Sequence, residues 1–487
     1  MYRSIYVPVD NSSHALAAAD LAIAIARQAG AEITGSHVYA ARLHDRRFRQ
    51  MEGGLPERYL REDKLLEQRD IHDDLITRGL QLIADCYLDV FARKCAEAGL
   101  AGHRVSLEGR NWQQLVADIA RGPYDLVVMG ALGLGSVASS EVGSVSERVA
   151  RRIDRDLLVV RRGLEEGDGG IAVALDGSPR AFGGLRTALA LGRAFGRPVE
   201  AVCAFDPLFH YVAFSRIAGV LSPEAASVFR FKEQEKLHEE VIDTGLERIY
   251  RGHLDVAARI ARAEGVEIRT VLLAGKPFEQ VLTYAQKTRP WLLVVGRTGV
   301  HSDGGLDLGS ITENVLRRAP CNVLLSAQPF EPPIEDVAEA TMAWTAEAEG
   351  RLQRVPDFAR GMARRAVLEH AVRLGHTVVT SDVIDACLMR LRPHGRTAPG
   401  DGLPSGHEPM AGAPEAAGAE GAPPSWEAPA LARLNRIGDP AVRDHARLRI
   451  EKAARRAGQA AITETMVEGA VRAVGVMLGG AGAVTPP

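Results

Sequence analysis

Through the first 326 residues, short apolar runs alternate with stretches of helical patterning. The runs fall near 3–9, 31–39, 103–108, 124–130 and 156–161, with helical stretches near 13–29, 77–98, 111–121 and 144–152. Such alternation predicts a parallel sheet covered by helices, an α/β fold. The chain then repeats itself at an offset of 166 residues without a net gap. Ile5-Tyr6-Val7-Pro8-Val9-Asp10 falls on Ile171-Ala172-Val173-Ala174-Leu175-Asp176, and Gly109, Gly130, Gly133, Gly143 and Ser144 fall on Gly275, Gly296, Gly299, Gly309 and Ser310. A constant offset through strands, helices and loops marks a duplicated domain, 1–163 and 168–327. Ser178 followed by Pro179 predicts the start of the first helix in the second copy. Two extra segments, 41–75 (charged) and 206–235 (more aromatic), lie between the second strand and the next helix of each copy.

After Ser326 the pattern changes and a second repeat begins. Trp344…Leu352-Gln353-Arg354-Val355 matches Trp426…Leu434-Asn435-Arg436-Ile437, and both units run through an Arg-rich stretch to Gly-x-x-x-[Val/Ile]-Thr at Gly375–Thr380 and Gly458–Thr463. Each unit reads as helix, turn, helix, with Thr380 or Thr463 capping the last one. These small all-α modules span 335–392 and 426–477. Between them, 393–425 is rich in Gly, Pro, Ala and Glu and reads as a flexible linker with too few large apolar residues for a core.

Composition narrows the function classes. Of 487 residues, 46% are hydrophobic and 25% charged, and the net charge of −3 offers no bulk field for nucleic acid or an acidic membrane. Five scattered cysteines, with no C-x-x-C pair, argue against a disulfide framework or a structural zinc site. No apolar stretch is long enough to span a membrane, so a cytoplasmic protein without a membrane partner is expected.

Candidate chemistry sits after the fourth strand of each copy. Gly130-x-x-Gly133 and Gly296-x-x-Gly299 are each followed, nine residues on, by Gly143-Ser144 or Gly309-Ser310. The first glycines allow the backbone to turn off the strand and approach a ligand. The final Gly-Ser opens a helix whose free amides and positive dipole end can hold phosphate oxygens. The segments Ser144-Val145-Ser146 and Ser310-Ile311-Thr312 add hydroxyls. Such a site lies at the carboxyl ends of parallel strands, where open α/β sheets bind ligands. No G-x-x-x-x-G-K-[ST] loop, catalytic base or metal-ligand spacing is present, so no catalytic residue or resident metal site is assigned.

The loop pattern G-x-x-G-x9-G-[ST], with an early strand ending in Asp10 or Asp176, resembles the universal stress protein family. That resemblance covers 1–326. It implies two five-stranded, parallel, flavodoxin-like sheets of the adenine nucleotide alpha hydrolase type, which pair with one another. An internal pseudo-dimer through strands 156–161 and 321–326 follows, with a homodimer as a further option. The family implies ATP, with magnesium, as ligand. Adenine would lie near Pro8, Val9, Asp10, Val38 and Met129 in copy one, and near Ala174, Leu175, Asp176, Ala204 and Val295 in copy two. The family's basic residue after the second glycine is replaced by Leu134 and Val300, and Asp303 and Asp307 would repel phosphate in copy two, so copy one is the stronger candidate. A nucleotide-binding stress or regulatory protein is expected, with at most slow ATP hydrolysis.

The carboxyl-terminal repeats resemble the C-terminal domain of the B subunit of light-independent protochlorophyllide reductase. With only Cys387 after residue 330, this region cannot supply a four-cysteine cluster. Docking of a protein partner is the expected role. An accessory role in a tetrapyrrole reductase and a purely structural protein without nucleotide are the alternatives. Trp344 and Trp426 read as core residues, and the arginines as a surface paired with nearby acids.

Overall fold

The computed structural model describes residues 1–137, 140–163, 169–206, 245–300, 308–374, 376–391, 425–436, 443, 447, 450, 451, 454 and 459–468. Both copies of the α/β repeat belong to one compact unit, Met1–Asp206 with Asp243–Asp336, and the helical modules belong to another.

Copy one runs β1 (Ser4–Pro8), α1 (Ser13–Ala29), β2 (Glu32–Tyr39), α2 (Ala41–Met51), α3 (Glu62–Glu97), β3 (Gly102–Glu108), α4 (Asn111–Arg121), β4 (Leu126–Gly130), α5 (Ser144–Arg152) and β5 (Asp156–Val160). Copy two runs β6 (Ile171–Leu175), α6 (Pro179–Phe195), β7 (Val199–Phe205), α7 (Leu246–Ala263), β8 (Arg269–Ala274), α8 (Pro277–Thr288), β9 (Leu292–Gly296), α9 (Ser310–Arg318) and β10 (Asn322–Ser326). Local chemistry repeats with the sequence. Ser12 and Ser178 accept the amides of Ala15 and Ala181 to cap α1 and α6, and both helices end on a left-handed glycine, Gly30 or Gly196.

The strand order is β3-β2-β1-β4-β5-β10-β9-β6-β7-β8. Every pair is parallel except β5–β10, which runs antiparallel. The two expected five-stranded sheets are thus halves of one ten-stranded sheet. Hydrophobic strands buried on both faces explain it: β5 and β10 are buried at every residue, so neither can remain a solvated edge. Val159 faces Val323, and Leu158 faces Leu324. The junction is pseudo-symmetric. Asp156 accepts the Ala327 and Gln328 amides (2.8 and 3.3 Å), and Asn322, its counterpart 166 residues on, accepts those of Arg161 and Arg162 (2.8 and 3.0 Å).

α3 begins at Glu62, well before the expected 77. Its first turns carry charge in place of an apolar stripe, and are held by Lys64–Glu67 and Arg78–Asp74 pairs and by Arg69 bonded to Glu52. Of the second extra segment, residues 207–235 lie outside the described residues.

The first module contains α10 (Ile334–Thr341), β11 (Ala343–Trp344), α11 (Ala346–Gln353), α12 (Asp357–Arg373), β12 (Val378–Val379) and α13 (Ser381–Leu391). The second shows β13 (Ser425–Trp426), α14 (Ala428–Asn435) and β14 (Ala461–Ile462). The modules are helical, but each also holds a pair of two-residue parallel strands, Trp344 opposite Val379 and Trp426 opposite Ile462. Strands of two residues leave no periodicity to read. The linker 393–424 lies outside the described residues.

Candidate functional site

At the carboxyl ends of β1, β2 and β4, copy one opens into a cleft of about 820 Å3. Every residue singled out there by sequence lines it: Pro8, Val9 and Asp10 after β1, Val38 on β2, Met129 and Gly130 on β4, Gly133 in the loop, and Gly143, Ser144, Val145 and Ser146 at the start of α5.

Asp10 organises this ground. One carboxylate oxygen accepts the Ser12 amide (3.0 Å), and the other accepts the Leu134 amide (3.1 Å), tying the glycine loop to the start of α1. A Cβ at Gly133 would stand 2.6 Å from that second oxygen, and one at Gly130 would stand 2.7 Å from the backbone of His14. These two glycines are therefore needed for close approach rather than for unusual dihedrals. The loop returns through the Gly143 amide, which donates to the Ala131 carbonyl at 2.7 Å. The buried Ser146 hydroxyl donates to the Gly130 carbonyl at 2.9 Å, so it staples the helix to the strand end.

α5 differs from α1 at its N-terminus. Gly143 stands at the cap and supplies no side-chain acceptor, whereas Ser12 caps α1. The first amides of α5 thus remain available at the cleft, the arrangement that binds anions. Exposed Ser144 adds a hydroxyl, and Ser136 and Ser140 line the same end. Val38, Met129 and Leu115 make the opposite wall apolar. Leu134, where a basic residue would contact phosphate, is 64% exposed.

Sequence reasoning did not single out His37, Tyr39, His44, Leu80, Ile83, Tyr87, Asn111 and Leu115, which also line the cleft. A signal was present for three of them. Leu80, Ile83 and Tyr87 recur at i, i+3 and i+7 on a stretch read as helical, but nothing in that spacing tells a cleft wall from a core face.

Copy two repeats the scaffold with different contents. Asp176 accepts the amides of Ser178 (3.0 Å) and Val300 (2.9 Å), Thr312 donates to the Gly296 carbonyl (2.7 Å), and a Cβ at Gly299 would meet Asp176 at 2.6 Å. Gly309 caps α9 without a side-chain acceptor, followed by Ser310 and Ile311. Leu175, Ala204 and Val295 are buried, and Ala174 half-buried. Two positions here carry larger side chains than their counterparts in copy one, Arg180 for His14 and Tyr250 for Ala84. Arg180 in the first turn of α6 donates to Thr298 in the loop, where copy one has His14 and Leu132. The His253 ring lies against Gly177, and burial lowers its pKa, partly opposed by the Asp176 carboxylate. Tyr250 stacks on Phe205 at 5.6 Å. Residues 301–307, with Asp303 and Asp307, lie outside the described residues.

Among the described residues, no group of three or more His, Cys, Asp or Glu is placed to hold a metal, and no helix is long and apolar enough to cross a membrane. In the modules, Trp344 packs against the core formed by Ala338, Val367, Leu368 and Val379, with the Arg364 guanidinium 5.0 Å over its ring. The Trp426 indole N–H donates to Glu451 at 2.8 Å. Arg365 and Arg447 pair with Glu369 and Glu451. Arg455 and Arg456 fall outside the described residues.

The model of the universal stress protein family matches residues 1–161 and 170–326. That of the proto-chlorophyllide reductase 57 kD subunit matches 344–387. A universal stress protein of Methanocaldococcus jannaschii is 35% identical over 71 residues, 15% of this chain, which spans only 42% of that protein's length. One from Thermus aquaticus is 30% identical over 161 residues, 32% of this chain and 96% of its own. The crystal structure of a universal stress protein from Archaeoglobus fulgidus is similar at 17% identity with a TM-score of 0.43, covering 66% of this chain and 97% of that one.

Proposed function

The chain belongs to the universal stress protein family, and from that premise we propose that its first half binds ATP, with magnesium carried on the phosphates, as a regulatory rather than catalytic ligand. One observation carries the reading: all of the copy-one residues picked out by sequence meet in a single cleft that joins an apolar wall to an uncapped helix N-terminus. The apolar wall of Val38 and Met129 suits a planar base. The α5 amides and Ser144 suit phosphate oxygens. Asp10 acts through the loop it holds.

Calorimetric titration with magnesium-ATP tests this. A Cβ at Gly143 would sit 3.2 Å from the Ala131 carbonyl oxygen, tighter than ordinary contact, and a β-branched side chain would also cover the α5 amides. Gly143→Val is expected to weaken ATP binding at least tenfold. Unchanged affinity would remove the phosphate assignment. Copy two is the weaker site in this reading, because Asp303 and Asp307 in its loop sequence would repel phosphate.

The helical modules act as docking sites for a protein partner. Support comes from their duplication across a Gly/Pro-rich tether, which suits bivalent capture, and from small cores that gain stability when a partner binds. The alternative, a tetrapyrrole held by the two tryptophans, is disfavoured by what the indoles already do: Trp344 is packed and covered by Arg364, and Trp426 is bonded to Glu451. Titrating a porphyrin into the full chain, while following tryptophan quenching, separates the two. No saturable quenching at low micromolar porphyrin is expected. Saturation that disappears in Trp344→Ala and Trp426→Ala would replace docking with pigment binding.

A further inference from the structure

The copy-one cleft extends beyond the residues that adenine and phosphate would occupy. Strand order sets its axis, since β4 carries the glycines, β1 lies next to it, and β2 lies beyond. Neighbouring strands are spaced by about 4.8 Å, so the phosphate end and the Val38–Tyr39 end are separated by about 10 Å. Past Val38 the cleft continues along Tyr39 and is walled by His44 of α2 and by Leu80, Ile83 and Tyr87 of α3.

This wall is built into the helix. Ala84, Leu88, Phe91 and Cys95 anchor α3 by burial. Leu80, Ile83 and Tyr87 lie on a neighbouring face at i, i+3 and i+7, which places them one above another along the cleft. The Tyr87 ring is steadied by His37, which meets it edge-on at 5.1 Å and whose Nδ1 lies 2.6 Å from the Val9 carbonyl oxygen. Ile83 remains 45% exposed on this wall. The Leu80, Ile83 and Tyr87 part of this wall offers apolar surface that an unmodified base would leave uncovered.

We propose that the cleft selects an adenine nucleotide bearing an apolar, branched or aromatic substituent on the exocyclic amine of its base. The inference rests on the nucleotide reading above. The ribose leaves adenine at N9, so phosphates directed to the β4 loop turn the six-membered ring, with its N6 amine, towards Tyr39 and α3. An apolar substituent there exchanges water for the side chains of Leu80, Ile83 and Tyr87, a gain that a charged group, which loses hydration against them, does not share.

Calorimetry on the full chain with magnesium-ATP and magnesium-N6-benzyl-ATP tests the proposal. The benzyl nucleotide is expected to bind at least tenfold more tightly. Ile83→Asp, at a cleft-wall position 45% exposed to solvent, is expected to abolish that advantage while leaving ATP affinity within twofold. Leu80→Asp serves as a second variant with the same expected outcome. ATP binding with equal or weaker binding of the benzyl nucleotide would overturn the proposal and leave the ATP reading intact, as would an advantage that survives both substitutions. Failure of both nucleotides to bind would overturn the two readings together.

Discussion

Asp10 shows how a single side chain can fix the shape of a loop. Its two carboxylate oxygens hold the Ser12 and Leu134 amides, and the small size of Gly133 leaves room for that contact. Hydrogen bonds to a charged acceptor contribute about 1.5–3 kcal/mol each when buried and less when solvent reaches them. Asp10→Ala is therefore expected to lower stability by about 1–2 kcal/mol, and to weaken ATP about tenfold as the loop loses its anchor. Thermal melts and calorimetry on the same variant check both effects, and an ATP affinity equal to wild type would show that the loop holds its shape without the carboxylate. The aspartate and the glycines were legible in the sequence because a fixed spacing occurs twice. The partners of Asp10 were not, since Leu134 is brought to it only by the fold.

Among the elements, the N-termini divide into two kinds. α1 and α6 are closed by serine caps, and α5 and α9 begin at glycines without one. A serine cap takes up one of the free first-turn amides with a side chain, and an uncapped end beside a cleft leaves it for an anion. This difference follows from residue type and was readable in advance. The length of α3 was not. Its first turns lack an apolar stripe, and they form because the chain folds back, stacking Phe48 of α2 on His72 at 3.9 Å and bringing Arg69 to Glu52. Leu80 and Ile83 lie in the part of α3 that the sequence did mark as helical, next to the buried Ala84, Leu88, Phe91 and Cys95.

For the α/β unit as a whole, the decisive contact is the β5–β10 seam. Glu147 and Arg151 of α5 interlock with Arg317 and Glu313 of α9, at 2.5 and 2.7 Å, in a pseudo-symmetric set of ion pairs between the helices that leave the two glycine loops. Beneath them lie the matched pair Asp156 and Asn322, both fully buried. Burial raises the Asp156 carboxyl above the usual carboxylate range, against the Tyr2 hydroxyl and the Ala327 and Gln328 amides that favour its charge. A folded pKa above the unfolded one, about 3.9, means that the native state holds the proton longer. The stability from this group is then complete below the unfolded value and declines as pH rises through the folded one. Wild type is expected to lose ground to Asp156→Asn between about pH 4 and neutrality. Melting both proteins across that range checks the sign, and a stability difference that stays constant or moves the other way would refute it.

What the sequence determined by itself was whatever repeats or alternates. The 166-residue offset established the duplication, short apolar runs between helical stretches located the strands, and spaced glycines located both loops, because these features depend on local geometry and survive without knowledge of distant partners. Tertiary structure alone decided the rest. It set the antiparallel register of the β5–β10 seam, a pairing that the family resemblance had implied, with Asp156 and Asn322 buried in it beside the apolar residues. It also set Arg180 against Thr298 and His253 against Gly177 in copy two, because no spacing along a chain records which side chains from separate elements will face one another.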